Sequence, residues 1–182
     1  MQMFKAKALG LIIVLALLLT NSTGFGTIFY SKSEAMNLAF GQDAEVEMLS
    51  LFPTEAQIHE IEQSARGKLE SALFTFYVGR RNGEIIGYAA IESHTVRTKP
   101  ETLLIVLSAT GELEKIEVLA FHEPPEYQPR ASWFMQFYNR SLEQLDLNTG
   151  IQGITGATLS TRSALTSVRK VLSVFQVMVN KG

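Results

Sequence analysis

The sequence predicts an α+β fold in which a largely antiparallel sheet of two hairpins is flanked by helices. Two observations lead to this prediction. Short apolar runs flank turn sequences in the middle of the chain, and longer segments with helical spacing of apolar residues lie on either side. The chain has 182 residues, of which 46% are hydrophobic, enough to bury one core. We therefore expect a single domain over residues 31–182 behind an N-terminal segment, residues 1–30.

That N-terminal segment has the pattern of a signal peptide or a membrane anchor. Lys5 and Lys7 precede an uninterrupted apolar run over residues 8–19, as in the charged and apolar parts of an export signal. The run is shorter than the roughly 18 apolar residues of a spanning helix, although residues 25–30 could extend it past a polar break. Cleavage and retention as an anchor both remain open, and both predict an extracytoplasmic location.

Two helices are expected ahead of the sheet. The first is short, over residues 33–40, and the second runs over residues 54–69. In the second, Ile58, Ile61 and Ala65 recur at helical spacing, which predicts one buried face.

The sheet itself is predicted from two pairs of apolar runs. Strands over residues 73–78 and 85–91 flank an Asn-Gly step, which is a strong signal for a hairpin. Strands over residues 103–107 and 116–121 flank a second turn at residues 109–112. Neighbouring strands joined by short turns are antiparallel.

Two more helices complete the predicted fold. One is expected over residues 131–145, with Met135 and Phe137 in the core. The other is expected from about residue 160 to residue 179, where apolar residues form an amphipathic stripe behind a glycine-rich turn.

Composition excludes several functional classes. Sixteen Lys and Arg against eighteen Asp and Glu give a net charge of −2 without a basic block, so we expect no nucleic-acid binding. The chain has no cysteine, which excludes disulfides, iron–sulfur clusters and c-type haem. His59, His94 and His122 are scattered and lack the spacing of metal ligands. Redox chemistry would therefore require an organic cofactor.

The turn before the last helix holds the most informative residues. Small and hydroxylated residues dominate it: Thr155, Gly156, Ala157, Thr158, Leu159 and Ser160. Free N–H groups and the helix dipole favour an anion such as phosphate at a helix N-terminus, and Gly156 would let the backbone approach a ligand. Plain capping by Thr or Ser explains the same residues. From the residues alone, both interpretations stand.

Thr155-Gly156-Ala157-Thr158 resembles the flavinylation motif Asp-x-x-(Ser/Thr)-Gly-Ala-Thr of the FMN-binding domain family. That family includes subunits of the sodium-pumping NADH:quinone oxidoreductase and of the Rnf electron-transport complex, and the resemblance covers roughly residues 73–179. It implies FMN as the cofactor, attached to Thr158 by a phosphoester. A magnesium-dependent FAD:protein FMN transferase would deliver it outside the cytoplasm. Gln152 stands where the family usually has Asp, a difference that concerns recognition by the transferase.

A second segment, His-Glu-Pro-Pro-Glu-Tyr from His122, resembles the family more loosely. Members of the Rnf type carry His or Glu followed by Thr-Pro-Gly-Leu-Gly after the same strand. A Pro-Pro step makes a rigid extended loop, which could hold His122, Glu123 and Tyr127 against a planar ring, with Arg130 and Trp133 nearby. The alternative is a surface turn with Trp133 buried in the core.

The resemblance implies an electron-transfer domain or redox-complex subunit more than a stand-alone enzyme, working with electron-transfer partners in a membrane. Two alternatives remain. The chain could be a module that binds flavin or another small molecule without a covalent bond, or a structural subunit of a membrane complex.

Overall fold

The computed structural model describes residues 30–181, so the predicted N-terminal segment lies outside the described residues apart from Tyr30. Within this range one antiparallel sheet pairs each strand with the next along the chain. Its five strands are β1 (Glu45–Leu51), β2 (Phe74–Arg81), β3 (Glu84–Thr95), β4 (Pro100–Ser108) and β5 (Leu113–Phe121). The α+β class and the two predicted hairpins, β2–β3 and β4–β5, are confirmed. The edge strand β1 was not predicted.

The described residues form three helices of two or more turns and a fourth that is a single turn. In chain order they are α1 (Lys32–Phe40), α2 (Glu55–Ala65), the short α3 (Ala131–Phe134) and α4 (Thr158–Phe175). The last begins two residues earlier than predicted and continues into a π-helical turn, Gln176–Asn180. No helix within residues 30–181 is long and apolar enough to cross a lipid bilayer.

The two faces of the sheet carry separate apolar clusters, because successive side chains of a strand point to opposite faces. Leu103, Ile105 and Leu107 of β4 pack in the larger cluster with residues of α2 and α4. Leu104 and Val106 pack in the smaller cluster with residues of α1. Helix α4 is therefore a core element along most of its length, which fixes the position of its first turn.

The helix predicted over residues 131–145 is wrong beyond α3. The chain continues in two 3₁₀ turns, Met135–Phe137 and Leu142–Gln144, on either side of Asn139. Asn139 has φ of 57°, a left-handed conformation that Asn adopts more readily than most residues and that no α-helix contains. This residue ends helical structure between the two turns.

Buried side chains hold this irregular segment in place. Phe137 is fully buried, as predicted, whereas Met135 is 65% exposed, so its predicted place in the core is wrong. Trp133 is buried against the rings of Phe134 and Phe137, with centroids 5.1 and 4.9 Å away. Arg169 of α4 is also buried, and its guanidinium donates to four backbone carbonyls, those of Ser64, Ala65, Leu142 and Leu145.

Candidate functional site

The N-terminus of α4 has no side-chain cap. Ala157 occupies the N-cap position, and no side chain there accepts a hydrogen bond from the first turn. Helices α1 and α2 differ, because Ser31 and Thr54 form complete capping boxes at their starts. The hydroxyl groups around the start of α4 therefore do not serve as its cap, and the N–H groups of its first turn remain available for an anion.

The backbone just ahead of this helix is open. Gly156 has φ of +85°, and a Cβ built on it would meet no atom within 4 Å among the described residues. A left-handed φ favours glycine, so the motif glycine is required by conformation and leaves free space beside the helix start.

A cavity of about 230 Å³ adjoins the first turn of α4. Three parts of the chain line it: the loop between β3 and β4, the segment after β5, and the motif itself. The lining residues are Val96, Arg97, Glu123, Tyr127, Gly156, Ala157, Thr158, Leu159 and Ser160. The structure thus brings together all of the predicted site residues except Thr155 and His122.

The three hydroxyl residues of the motif differ in exposure. Thr155 and Thr158 are exposed, whereas Ser160 is buried. The carbonyl of Thr158 accepts a hydrogen bond from Oγ1 of Thr161 at 3.0 Å, which holds the backbone of the first turn. Thr158 is consequently the hydroxyl residue that is both exposed and part of the cavity wall.

Glu123 is buried and binds the loop between β3 and β4. Its Oε1 accepts hydrogen bonds from the backbone N–H groups of Thr98 at 2.6 Å, Lys99 at 2.8 Å and Arg97 at 3.2 Å. These bonds hold the pKa of the Glu123 carboxyl below its ordinary value, with the largest effect from Thr98, followed by Lys99 and then Arg97. Glu123 is thus an ionised carboxylate at neutral pH, and its first role is to anchor this loop.

His122 and Tyr127 flank Glu123 but occupy different positions. The backbone N–H of His122 donates to the carbonyl of Pro100 at 3.1 Å, which continues the pairing with β4, and its side chain does not line the cavity. Tyr127 is half-buried at the end of a 3₁₀ turn, Pro125–Tyr127, and forms part of the cavity wall. Only the second of these two rings is placed beside the motif.

Trp133 is buried in the core and fixes the start of the motif through its indole. Nε1 of Trp133 donates to the carbonyl of Gln152 at 2.6 Å. The backbone N–H of Gln152 donates to Oε1 of Gln136 at 2.8 Å. Gln152 is itself exposed, so its backbone is held while its side chain faces solvent.

Val96 and Arg97 were not predicted as site residues. The loop over residues 96–99 joins β3 to β4. Both strands were predicted several residues too short, because β3 extends to Thr95 and β4 begins at Pro100, and their pairing as a hairpin was not predicted. The available signal for a turn here was the presence of Arg97 and Lys99 just ahead of Pro100.

Comparison with known proteins finds similarity over the part of the chain that contains most of the cavity wall. The sequence model described as FMN-binding domain matches residues 98–173. One component of the Na(+)-translocating ferredoxin:NAD(+) oxidoreductase complex of Acetobacterium woodii is 29% identical over 187 residues, covering 88% of this chain and 84% of that protein. No solved structure matches the chain. Residues 98–173 are therefore similar to the FMN-binding domain family, the family that the sequence predicted, and FMN is the cofactor that this similarity indicates.

Proposed function

We propose that this protein is an extracytoplasmic electron-transfer protein whose FMN is joined to Thr158 by a phosphoester. The observation that carries the proposal is the exposed Thr158 at the uncapped first turn of α4, inside a cavity. The family match and the relative support FMN binding and electron transfer. The bond to Thr158 is inferred from its position.

The surroundings of Thr158 fit a phosphate group. A phosphodiester carries one negative charge, which the free N–H groups and the positive end of the α4 dipole would stabilise. There is no acidic residue in the first turn of α4 to repel it. The open space beside Gly156 allows the phosphate to approach the backbone.

The cavity also fits one part of a flavin ring system. Val96, Tyr127 and the 46% exposed Leu159 supply apolar surface on three sides, which suits a planar aromatic group. Its volume of about 230 Å³ lies below the roughly 300–1,000 Å³ of pockets that enclose a whole ligand. The rest of the cofactor would therefore lie at the protein surface, where a partner could approach it.

When bound, FMN supplies one-electron and two-electron redox chemistry. The residues of this chain would bind and orient it: Thr158 holds the phosphate, the first turn of α4 neutralises part of its charge, and Tyr127 and Leu159 support the ring. The similarity to a component of an electron-transferring complex favours a carrier role over that of a stand-alone enzyme.

Attachment requires a second protein. In the proposed reaction the phosphoanhydride bond of FAD breaks, AMP leaves, and a bond forms between Oγ1 of Thr158 and the phosphorus of FMN, with loss of the hydroxyl proton. A magnesium-dependent FAD:protein FMN transferase would catalyse this step. The exposure of Thr158 makes the acceptor oxygen accessible to such an enzyme.

We also propose membrane partners and an extracytoplasmic location for the domain over residues 31–182. The relative belongs to a complex that translocates sodium ions and transfers electrons between ferredoxin and NAD(+). Residues 1–30, with Lys5 and Lys7 ahead of an apolar run, would act as the signal peptide or the anchor.

Intact-mass analysis of protein coexpressed with the transferase tests the proposal. The wild type should gain the mass of one FMN less one water, and its flavin fluorescence should survive denaturation. Thr158→Val should abolish both signals, whereas the matched control Thr155→Val should keep them. Flavin that is lost on denaturation would identify a non-covalent binding module, and no flavin with excess transferase would refute the proposal.

A further inference from the structure

The loop over residues 96–99 is closed by one internal hydrogen bond and anchored by several hydrogen bonds to the distant Glu123. The N–H of Val96 donates to the carbonyl of Lys99 at 3.1 Å. The next three N–H groups, those of Arg97, Thr98 and Lys99, all point to Oε1 of Glu123, and Oγ1 of Thr98 lies 3.4 Å from the same oxygen. Glu123 is only 7% exposed.

Successive backbone N–H groups that converge in this way form a concave site for an anion. Here the anion is a carboxylate of the chain itself. Hydrogen bonds to an ionised acceptor are stronger than those between neutral groups, so Glu123 fixes the loop against the segment that follows β5. Both partners of this contact also line the cavity that contains Thr158.

The fixed loop carries a cation into that cavity. Among the described residues of the cavity wall, Arg97 is the only one with a cationic side chain. Within residues 30–181 its guanidinium makes no hydrogen bond or ion pair, although its backbone N–H is bound to Glu123. The negative charge of Glu123 is already compensated by three N–H groups. Arg97 therefore has its charge available for a ligand.

We propose that Glu123 is a positioning residue, which holds the loop over residues 96–99 so that Arg97 pairs with the phosphodiester at Thr158. The proposal rests on the proposed attachment of FMN. A guanidinium matches the geometry of phosphate oxygens, and Arg97 lines the same cavity as the first turn of α4. Arg97 thus acts on the phosphate directly, and Glu123 acts through Arg97.

The effect of Glu123 on the loop is measured without the cofactor. In Thr158→Val protein, Glu123→Gln should raise the amide hydrogen-exchange rates of residues 97–99 by about tenfold, the difference between bonds to a charged and to a neutral acceptor. Glu126→Gln is the matched control, because Glu126 is an exposed residue of the same segment. Unchanged exchange in the Glu123 variant would refute the positioning role.

The contact with phosphate is measured by phosphorus NMR on protein whose flavin content has been established by mass. Arg97→Gln should shift the phosphodiester resonance, and Arg97→Lys should restore part of the wild-type position. Glu123→Gln should shift the resonance in the same direction, and should add nothing in an Arg97→Gln background. Glu126→Gln should leave it unchanged.

The outcomes separate this inference from the function on which it rests. If flavin is attached but Arg97→Gln does not move the resonance, the phosphate contact is refuted and the attachment stands. If the shifts of the two variants simply add, Glu123 does not act through Arg97. If no mass is gained, the attachment fails, and the proposed pairing with Arg97 fails with it.

Discussion

A chain of buried polar side chains next to the loop over residues 96–99 allows a sharp test of the energetics. Nε2 of His94 lies 3.0 Å from Oε2 of Glu101, and Nδ1 of His94 lies 2.9 Å from Oγ of Ser167. Glu101 is fully buried, and its Oε1 has no hydrogen-bond partner within the described residues. His94 and Glu101 face each other across β3 and β4, one register step from the pair that borders the loop over residues 96–99.

Replacing one residue of the His94–Glu101 pair should lower the stability of the protein more than replacing both. Removing one hydrogen-bond partner so that a buried polar group is left unsatisfied typically costs about 1–3 kcal/mol, whereas replacing both partners by apolar residues of the same shape can be nearly neutral or stabilising. His94→Leu leaves the buried Glu101 carboxyl without its hydrogen-bond partner, so we expect a loss of about 1–3 kcal/mol. Glu101→Met also removes the unpartnered oxygen and should cost less.

The double variant is the decisive measurement. The variants are compared by urea denaturation in Thr158→Val protein, in which no bound cofactor adds stability. The free energy of unfolding of His94→Leu/Glu101→Met should be close to that of the parent protein and well above that of His94→Leu alone. The nearby pair of Glu92, whose pKa burial raises, and Lys170 is left intact. A double variant as unstable as His94→Leu would refute this reasoning, as would a His94→Leu variant that loses less than about 1 kcal/mol.

Two further predictions concern the site. The hydrogen bonds that lower the pKa of Glu123 below 4.5 stabilise the ionised form, so their contribution is complete above the unfolded-state pKa and is lost as the pH falls through the lower folded-state value. Amide protection factors of residues 97–99 should therefore persist at pH 4.5 and fall only at lower pH, and a loss that begins near neutral pH would contradict this. Gln152→Asp should raise the flavinylated fraction when the transferase is limiting, because it supplies a carboxylate for the magnesium-dependent reaction on an exposed side chain. The control Gln152→Ala should not raise it. If the wild type is fully modified, and as fast as the Gln152→Asp variant, this position is unimportant.

Local sequence signals predicted the parts of the fold that local chemistry determines. The Asn-Gly step gives Asn82 a left-handed φ of 54° and Gly83 one of 83°, as a tight hairpin turn requires. The apolar stripe of α4 predicted a buried helix, and most of its residues are buried. In these cases one segment contains all the information that its conformation needs.

Elements that depend on distant partners were missed or wrong. In strand β1, Val46 and Met48 are 39% and 63% exposed. The strand therefore has no fully buried apolar face, and its conformation depends on pairing with β2. The spacing of Phe134 and Phe137 suits a 3₁₀ turn as well as an α-helix, and the segment that follows is held by the distant Arg169, which donates to the carbonyls of Leu142 and Leu145.

The candidate site combines both situations. The motif was visible because its residues are contiguous and lie at a helix start. The loop that faces it was not, because the bond between Glu123 and residues 97–99 joins segments 24 to 26 residues apart. No local pattern specifies such a contact, and a carboxylate after a strand is interpreted as solvated unless its partner loop is known.

Thr158, the proposed attachment site of FMN, lies where its side chain contributes little to the stability of the fold. Helix α4 is rigid because Val168, Val171 and Val174 are fully buried in the main core, and functional groups are positioned best on such elements. Thr158 itself is exposed, and its side chain caps nothing. Substitutions of this kind usually change stability by no more than about 0.5 kcal/mol. Thr158→Val should therefore unfold at the same urea concentration as wild-type protein without flavin, and a marked loss of stability would mean that the hydroxyl has a structural role as well.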